Sequence, residues 1–506
     1  MNQTDSAIEY FKKALAADPH YAEASNNLGI ALASQNKIHQ AIECFTAAIK
    51  ANPQMHQAYF NLADAYSTSG MTAESVDLYR KAIQINPDYP QAYSNLGIIL
   101  NNSGQKKQAI EEYKKAIRLK PDFCGALTNI AIAETQTGRL DDALEHAKKA
   151  IDLSPEIPEY HYNLANTLKA MGNCPEALQS YDRAISLKQD YPEATWNRAI
   201  TTLLAGNLAK GFELYKKRRD SRLEIATYPN NFDKPIYEGG SLKGKRLLVH
   251  WEQGLGDSIQ FVRFLPLLKK LGAHIIYEER NALIDIFKNI EGIDEIITHR
   301  PGKKPEVDFD LYAPLMDLPA ILNTTIDSIP TGMPYIIPDR QKTEHWKQKL
   351  NTTDVKVGIV WAGAPKHGND HNRSCSLADF SPLSSIDGVK IYSLQKGDAS
   401  RQIELYKDQI EITNLAEDIE NFTDTAAAID NLDLVVSVDT SVLHLAGAMA
   451  KKTFAIIPYH PDWRWLLNTE NSPWYPTMKL FRQKEWGRWN NVFESIKTHI
   501  LKLSRP

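Results

Sequence analysis

Cysteine is scarce: four in 506 residues, Cys44, Cys124, Cys174 and Cys375, none in a C-x-x-C spacing. Such dispersal argues against a disulfide framework or a zinc knuckle and suits a reducing compartment, so a cytoplasmic protein is expected. Long apolar runs are missing as well. No stretch approaches the roughly 20 residues needed to cross a bilayer, and Met1 to Tyr10 has no basic segment followed by an apolar core, so neither export nor a membrane span is expected. Charge of one sign is not in excess either. Lys and Arg number 58 against 62 Asp and Glu, a formal −4, which leaves no overall electrostatic footprint for nucleic acid or an anionic membrane. What remains, 43% hydrophobic and 24% charged with 25 Gly and 26 Pro, is the composition of an ordinary globular protein. At roughly 150 residues per domain, the length predicts three to four domains.

Periodicity organises the first half. Pro19, Pro53, Pro87, Pro121 and Pro155 lie 34 residues apart, and Ala14, Ala48, Ala82, Ala116, Ala150 and Ala184 keep the same step. Small residues at Gly29, Ala63, Gly97, Ala131 and Ala165 permit close helix approach, while Phe45, Tyr79, Tyr113 and Tyr181 fill the space between paired helices. The pattern resembles tetratricopeptide repeats, with repeats beginning near Ala22, His56, Pro90, Cys124 and Pro158, and a degenerate one near Pro192 where Arg198 replaces the apolar residue. Ser6 to Ala17 reads as the second helix of a repeat whose partner is absent, as a fragment of a longer chain would show. Such arrays stack into a superhelix with a concave groove suited to an extended partner, although they also serve self-association.

One column runs unbroken through the array: Asn27, Asn61, Asn95, Asn129, Asn163 and Asn197. Asparagine is a mediocre helix former, and its amide both donates and accepts, as a peptide backbone does. The column resembles the asparagine ladder of O-linked N-acetylglucosamine transferases, and that resemblance implies an acceptor protein or peptide in the groove. Amide contacts between successive repeats account for the same residues.

After a polar, basic connector from Lys216 to Gly244, containing Pro229 and Gly239-Gly240, the pattern changes to alternating strands and helices. Lys245 to Glu252 reads as a strand, QGLGD at Gln253 to Asp257 as a tight turn, and Ser258 to Leu271 as a helix. A second series starts at Val355 to Trp361 and reaches Leu432 to Val438. Parallel sheets covered by helices are predicted, with ligands beyond the carboxyl ends of strands. In VDTSVLHLAGA, Asp439, Thr440 and Ser441 fall between a strand and a helix, a geometry that attracts a diphosphate, with His444 on the same helix face as Ser441. A capping Thr440 and a buried, hydrogen-bonded His444 fit equally well.

The GLGD turn at Gly254 to Asp257 and the VDTSVLHLAGA segment together resemble ADP-heptose:lipopolysaccharide heptosyltransferases, from about Lys245 onward. The resemblance implies a two-lobed glycosyltransferase B fold with acceptor in the first lobe and nucleotide-sugar in the second. It also implies Asp257 as general base, where the residue reads otherwise as an N-cap, and donor contacts at Asp439, Thr440, Ser441 and His444. Ser441 stands where that family commonly has glycine, and the loop Trp361 to Ser374 lacks the family's hydroxyl residues, leaving Lys366 or Arg373 to neutralise the leaving diphosphate. Lys396, after the next strand, is a candidate for the ribose or base. Asp308-Phe309-Asp310 has the D-x-D form of metal-dependent transferases but the wrong context, and His367 and His371 lack a helical H-E-x-x-H frame, so no metal is expected. Trp463, Trp465, Trp474, Trp486 and Trp489 are candidates for a sugar face, or for packing between lobes.

The expected architecture is an α-solenoid of tetratricopeptide repeats over 1–220, a connector over 221–244, an acceptor-side Rossmann-like lobe over 245–340 and a donor lobe over 341–506. The expected function is a protein O-glycosyltransferase acting on Ser or Thr of a groove-bound polypeptide, with a nucleotide-sugar as co-substrate and no further cofactor. A heptosyltransferase-like enzyme for a glycan or lipid-linked acceptor, and a noncatalytic repeat scaffold with a decayed transferase domain, remain open at this level.

Overall fold

The computed structural model describes residues 3–220, 222–223, 232–366 and 368–502, which divide into two compact units, Met1–Gln189 and Asp190–Pro506. Among the described residues no helix is long and apolar enough to cross a membrane.

The first unit is helical. Gln3–Ala17 precedes five antiparallel helix pairs whose first members are Ala22–Ser34, His56–Thr68, Pro90–Asn102, Cys124–Gln136 and Pro158–Ala170. The period is enforced at the turn inside each pair, where the chain must take a left-handed residue: Asn36, Gly70, Gly104, Gly138 and Gly172 have φ between 60° and 79°. The turn then closes on itself, as where Met71 N–H donates to the Tyr66 carbonyl at 2.9 Å. Ala48, Ala82, Ala116, Ala150 and Ala184 are buried where helices cross, and Phe45, Tyr79, Tyr113 and Tyr181 fill the gaps between them. Two buried polar pairs lie among these helices: the Tyr79 hydroxyl donates to Asp64, and Glu134, with no exposed surface, accepts from His146 Nδ1 at 2.8 Å through one of its oxygens.

A sixth pair, Pro192–Leu204 and Leu208–Tyr215, keeps the period but belongs to the second unit. Phe212 meets Phe261, Trp463 and Trp474 edge-on, at 6.2, 5.4 and 6.4 Å between ring centroids. Just beyond it, the fully buried Arg218 pairs with Glu252 and, at 2.7 Å, with Asp317. A buried cation is tolerated only with such partners.

The rest of the second unit is two parallel sheets. The first contains β1 (Arg246–His250), β2 (His274–Glu279), β3 (Glu295–Thr298) and β4 (Leu311–Pro314), in the order β3-β2-β1-β4. The second contains β5 (Val355–Val360), β6 (Val389–Ser393), β7 (Thr413–Asn414), β8 (Leu434–Val438), β9 (Thr453–Ile457) and β10 (Met478–Arg482), in the order β10-β9-β8-β5-β6-β7. All neighbouring strands are parallel, and the central β8 is buried along its whole length, as expected of strands covered on both faces. In each sheet the strand order reverses beside a central strand, between β1 and β4 and between β8 and β5. Open crevices for ligands form at such points. Part of the connector packs on the first sheet, where Tyr237 N–H donates to the Tyr312 carbonyl at 2.7 Å, whereas Pro229 lies outside the described residues.

Candidate functional site

The turn after β1 is held by backbone geometry and one arginine. Gln253 takes φ 58°, unusual for a residue with a side chain, and redirects the chain into the helix Leu255–Phe261. Arg280 donates to the carbonyls of Gln253 and Gly254 at 2.9 and 3.0 Å and lies over the Trp251 ring at 4.1 Å. Asp257, at the third position of that helix, accepts from Gly254 N–H at 2.7 Å through Oδ2. The N-cap position thus falls to Gly254 and not to Asp257, which closes back on the Gly254 N–H with one oxygen and binds Arg464 with the other.

The turn after β8 is built the same way. Thr440, extended at φ −142°, caps the helix Ser441–Ala448 by accepting from Leu443 N–H at 3.5 Å. Its neighbour Asp439 accepts from Trp465 Nε1 at 3.0 Å and lies 3.5 Å from His444 Nε2. Burial would push the Asp439 carboxyl up, but His444, the Trp465 N–H and the charge of Arg373 outweigh it and hold the group well below the usual carboxylate range. His444 is 4% exposed, stacks on Trp465 at 5.6 Å and shares a hydrogen bond with the Tyr475 hydroxyl at 2.9 Å through Nδ1.

The two turns face each other. A β-carbon on Gly256 would stand 2.8 Å from His444 Cδ2, so glycine alone admits this approach of the two helices. Arg464, from the short helical turn Trp463–Trp465, spans the gap: it binds Asp257, donates to Gln260 Oε1 at 2.9 Å and Asp462 Oδ1 at 2.8 Å, and lies over the Trp463 ring at 4.3 Å. Arg263 makes a second tie, donating to the Trp474 carbonyl at 2.6 Å and to the Tyr335 hydroxyl at 2.8 Å. Tyr215, from the sixth helix pair, reaches the same place, its hydroxyl donating to Gln253 Oε1 at 3.2 Å.

Asp257, Asp439, Thr440, Ser441 and His444 are therefore gathered at one crevice. Arg373 is close enough to act on the Asp439 charge, although Asp370 holds it at 3.3 Å. Lys366 is exposed on its loop, and the amine of Lys396 donates to the Ile419 carbonyl. His367 lies outside the described residues. Asp310 accepts from Arg246 N–H at 2.8 Å, and no group of three acidic, His or Cys side chains suited to a metal occurs among the described residues. Trp463 and Trp474 pack against Phe261 of the first lobe, Trp465 lies against Asp439 and His444 within the second, Trp489 is in the core of the second, and Trp486 is half-buried near Tyr459. Arg464 and Tyr475 were not singled out by the sequence. The available signal was an arginine between two tryptophans, an arrangement favourable for cation–π contact.

In the first unit the asparagine column is divided. Asn61 donates to Asn26 at 2.9 Å and Asn95 to Asp64 at 2.9 Å, both contacts between successive repeats. Asn129 and Asn163 are half-buried with no side-chain partner among the described residues, and Asn27 borders a hollow of about 430 Å³ with Phe11 and Ile30. Asn197 is half-buried in the second unit.

Comparison with known proteins follows the same division. Residues 1–38, 28–90 and 162–222 match the tetratricopeptide repeat, as do 78–111 and 132–172 in two further repeat families. Residues 392–490 match glycosyltransferase family 9 (heptosyltransferase). Protein FlbA of Caulobacter vibrioides (strain ATCC 19089 / CIP 103742 / CB 15) is 26% identical over 316 residues, 57% of this chain and 52% of its own, so the chain spans about half the length of that curated relative. Among solved structures, YrrB, described as a TPR protein with an unusual peptide-binding site, is 24% identical over 38% of this chain and 98% of its own, with a TM-score of 0.34. TTC0263, a thermophilic TPR protein in Thermus thermophilus, is 23% identical over 36% and 99%, with a TM-score of 0.30. This chain joins tetratricopeptide repeats to a domain of the heptosyltransferase family, glycosyltransferase family 9.

Proposed function

We propose that the chain is a protein O-glycosyltransferase of the glycosyltransferase B type, working in the cytoplasm without metal. A nucleotide-sugar binds with its diphosphate at the start of the helix Ser441–Ala448, where backbone N–H groups and the helix dipole favour an anion. A polypeptide held along the repeats presents a Ser or Thr hydroxyl to Asp257. The hydroxyl oxygen forms the new bond to the anomeric carbon as its proton passes to the Asp257 carboxylate. The bond from that carbon to the distal phosphate breaks, its electron pair leaving on the diphosphate. Coupling a peptide groove to the transfer site raises the effective concentration of weakly bound acceptors.

The observation that carries this reading is the approach of Asp257 and His444, from different lobes, through Gly256. The amides of Asn129 and Asn163, without a side-chain partner among the described residues, favour a polypeptide over a glycan or lipid-linked acceptor. The test incubates the full chain with ADP-, CMP-, UDP-, GDP- and dTDP-sugars and follows nucleotide release, with Asp257→Asn beside it. Release from one donor class, lost in the variant, is expected. Donor binding with no turnover, unchanged by Asp257→Asn, would instead favour a scaffold.

A further inference from the structure

Arg464 is 7% exposed, and its guanidinium is shared by Asp257, Asp462 and Gln260. With Oδ2 taken by the Gly254 N–H and Oδ1 by Arg464, the Asp257 carboxylate has no oxygen open to an acceptor hydroxyl. The leaving diphosphate meets a second difficulty. Asp439 stands at the start of the helix Ser441–Ala448, and Asp257 and Asp462 stand close by on the same arginine, so an incoming polyanion meets three carboxylates. Arg373, whose charge acts on Asp439, is engaged by Asp370.

Both difficulties have one resolution. On the transferase reading above, we infer that the Arg464 guanidinium changes partners on donor binding, leaving Asp257 for the diphosphate of the nucleotide-sugar. The exchange neutralises the leaving group and, in the same step, frees Asp257 to take the acceptor's proton. The turn that carries Arg464 is placed for it: the next residue, Trp465, donates to Asp439 and stacks on His444, at the turn where the diphosphate sits. Only one edge of the guanidinium has to move. Asp462 at 2.8 Å and the Trp463 ring at 4.3 Å hold the remainder in place. A base kept neutralised until the donor arrives makes the order of binding donor first, then acceptor.

Asp257 and the diphosphate then compete for one cation, and removing the competitor must strengthen nucleotide binding even as it abolishes transfer. The test titrates ADP, CDP, GDP, UDP and dTDP by calorimetry into the full-length wild type, Asp257→Asn, Arg464→Lys and the double variant, with thermal denaturation confirming that each is folded. One nucleotide is expected to bind Asp257→Asn about tenfold more tightly than wild type, the scale of a charge-assisted hydrogen bond. Arg464→Lys should bind it more weakly, and the gain from Asp257→Asn should vanish in the double variant. Asp257→Ser, which keeps an acceptor for Gly254 N–H, repeats the measurement if the asparagine does not fold. Unchanged or weaker binding in a folded, uncharged variant overturns the exchange and leaves the transferase reading standing. No binding of any of these nucleotides to the wild type overturns the exchange, and if no donor sugar, CMP-sugars included, releases its nucleotide either, the transferase reading falls with it.

Discussion

Gly256 lies directly against the imidazole of His444, with room for a hydrogen and nothing larger, since a β-carbon there would stand 2.8 Å from Cδ2. Gly256→Ala should therefore push the helix Leu255–Phe261 away from Ser441–Ala448 and carry Asp257 with it. The expected cost is about 1–3 kcal/mol, as for overpacking in a close-packed interior, with loss of nucleotide release. Removing the ring should relieve the clash, so in urea unfolding Gly256→Ala with His444→Ala is expected to cost less than the two single changes added together. Strict additivity would mean that the contact is not felt.

Arg218 is the second point where one side chain secures much of the fold. Its partners Glu252 and Asp317 are also buried, so removing the cation strands Glu252 and leaves Asp317 only its longer contact with Arg219 at 3.4 Å. Arg218→Met should destabilise the protein by about 3–5 kcal/mol, read as a lower urea midpoint. Arg80→Ala, which removes an exposed pair with Asp77 at 3.8 Å, should shift it little.

The repeat unit contains a titrating pair of its own. The hydrogen bond from His146 to Glu134 raises the histidine's pKa, with burial opposing. The folded chain thus holds this proton more tightly than the unfolded chain. The stabilisation is fully present below the ordinary histidine value of about 6.5 and is lost as pH rises through the raised folded value. The difference in thermal midpoint between wild type and His146→Gln should be widest near pH 6 and shrink toward alkaline pH. A difference constant with pH would contradict the assignment.

The asparagine column predicts a separation of effects. Asn129→Ala with Asn163→Ala should raise the KM for a polypeptide acceptor several-fold while leaving thermal stability and donor hydrolysis nearly unchanged, because neither amide has a partner to lose among the described residues. Asn61→Ala and Asn95→Ala also remove contacts between repeats, so they should lower the melting temperature. Equal effects of both pairs on stability alone would speak against peptide contact.

The helices of the repeats were legible because their cause is local: a packing residue every 34 positions and a left-handed residue to turn each pair. The strands ending at His250 and Val438 were legible for the same reason, as short apolar runs bounded by turn residues. His444 could be named from its own turn and Asp257 through the resemblance of its turn to the heptosyltransferases, but their meeting could not, since strand order and lobe approach arise from contacts far apart in sequence. Arg464 and Asp257 are separated by 207 positions, and no spacing rule connects them. The division of the asparagine column was equally hidden. Whether an amide is spent on a neighbouring repeat depends on what stands opposite, Asn26 or Asp64, and the period says nothing of that.

The sixth helix pair gives the molecule a seam that its periodicity conceals. Gene rearrangement readily lengthens or shortens a repeat array by whole units, and the first five pairs are open to that process. Phe212, Tyr215 and Arg218 are not, because their side chains are buried among the aromatic rings and carboxylates of the second unit. An inherited cassette must therefore be cut near Asp190. Lineages that exchange the second unit between arrays of different length should carry the helices Pro192–Leu204 and Leu208–Tyr215 along as part of it.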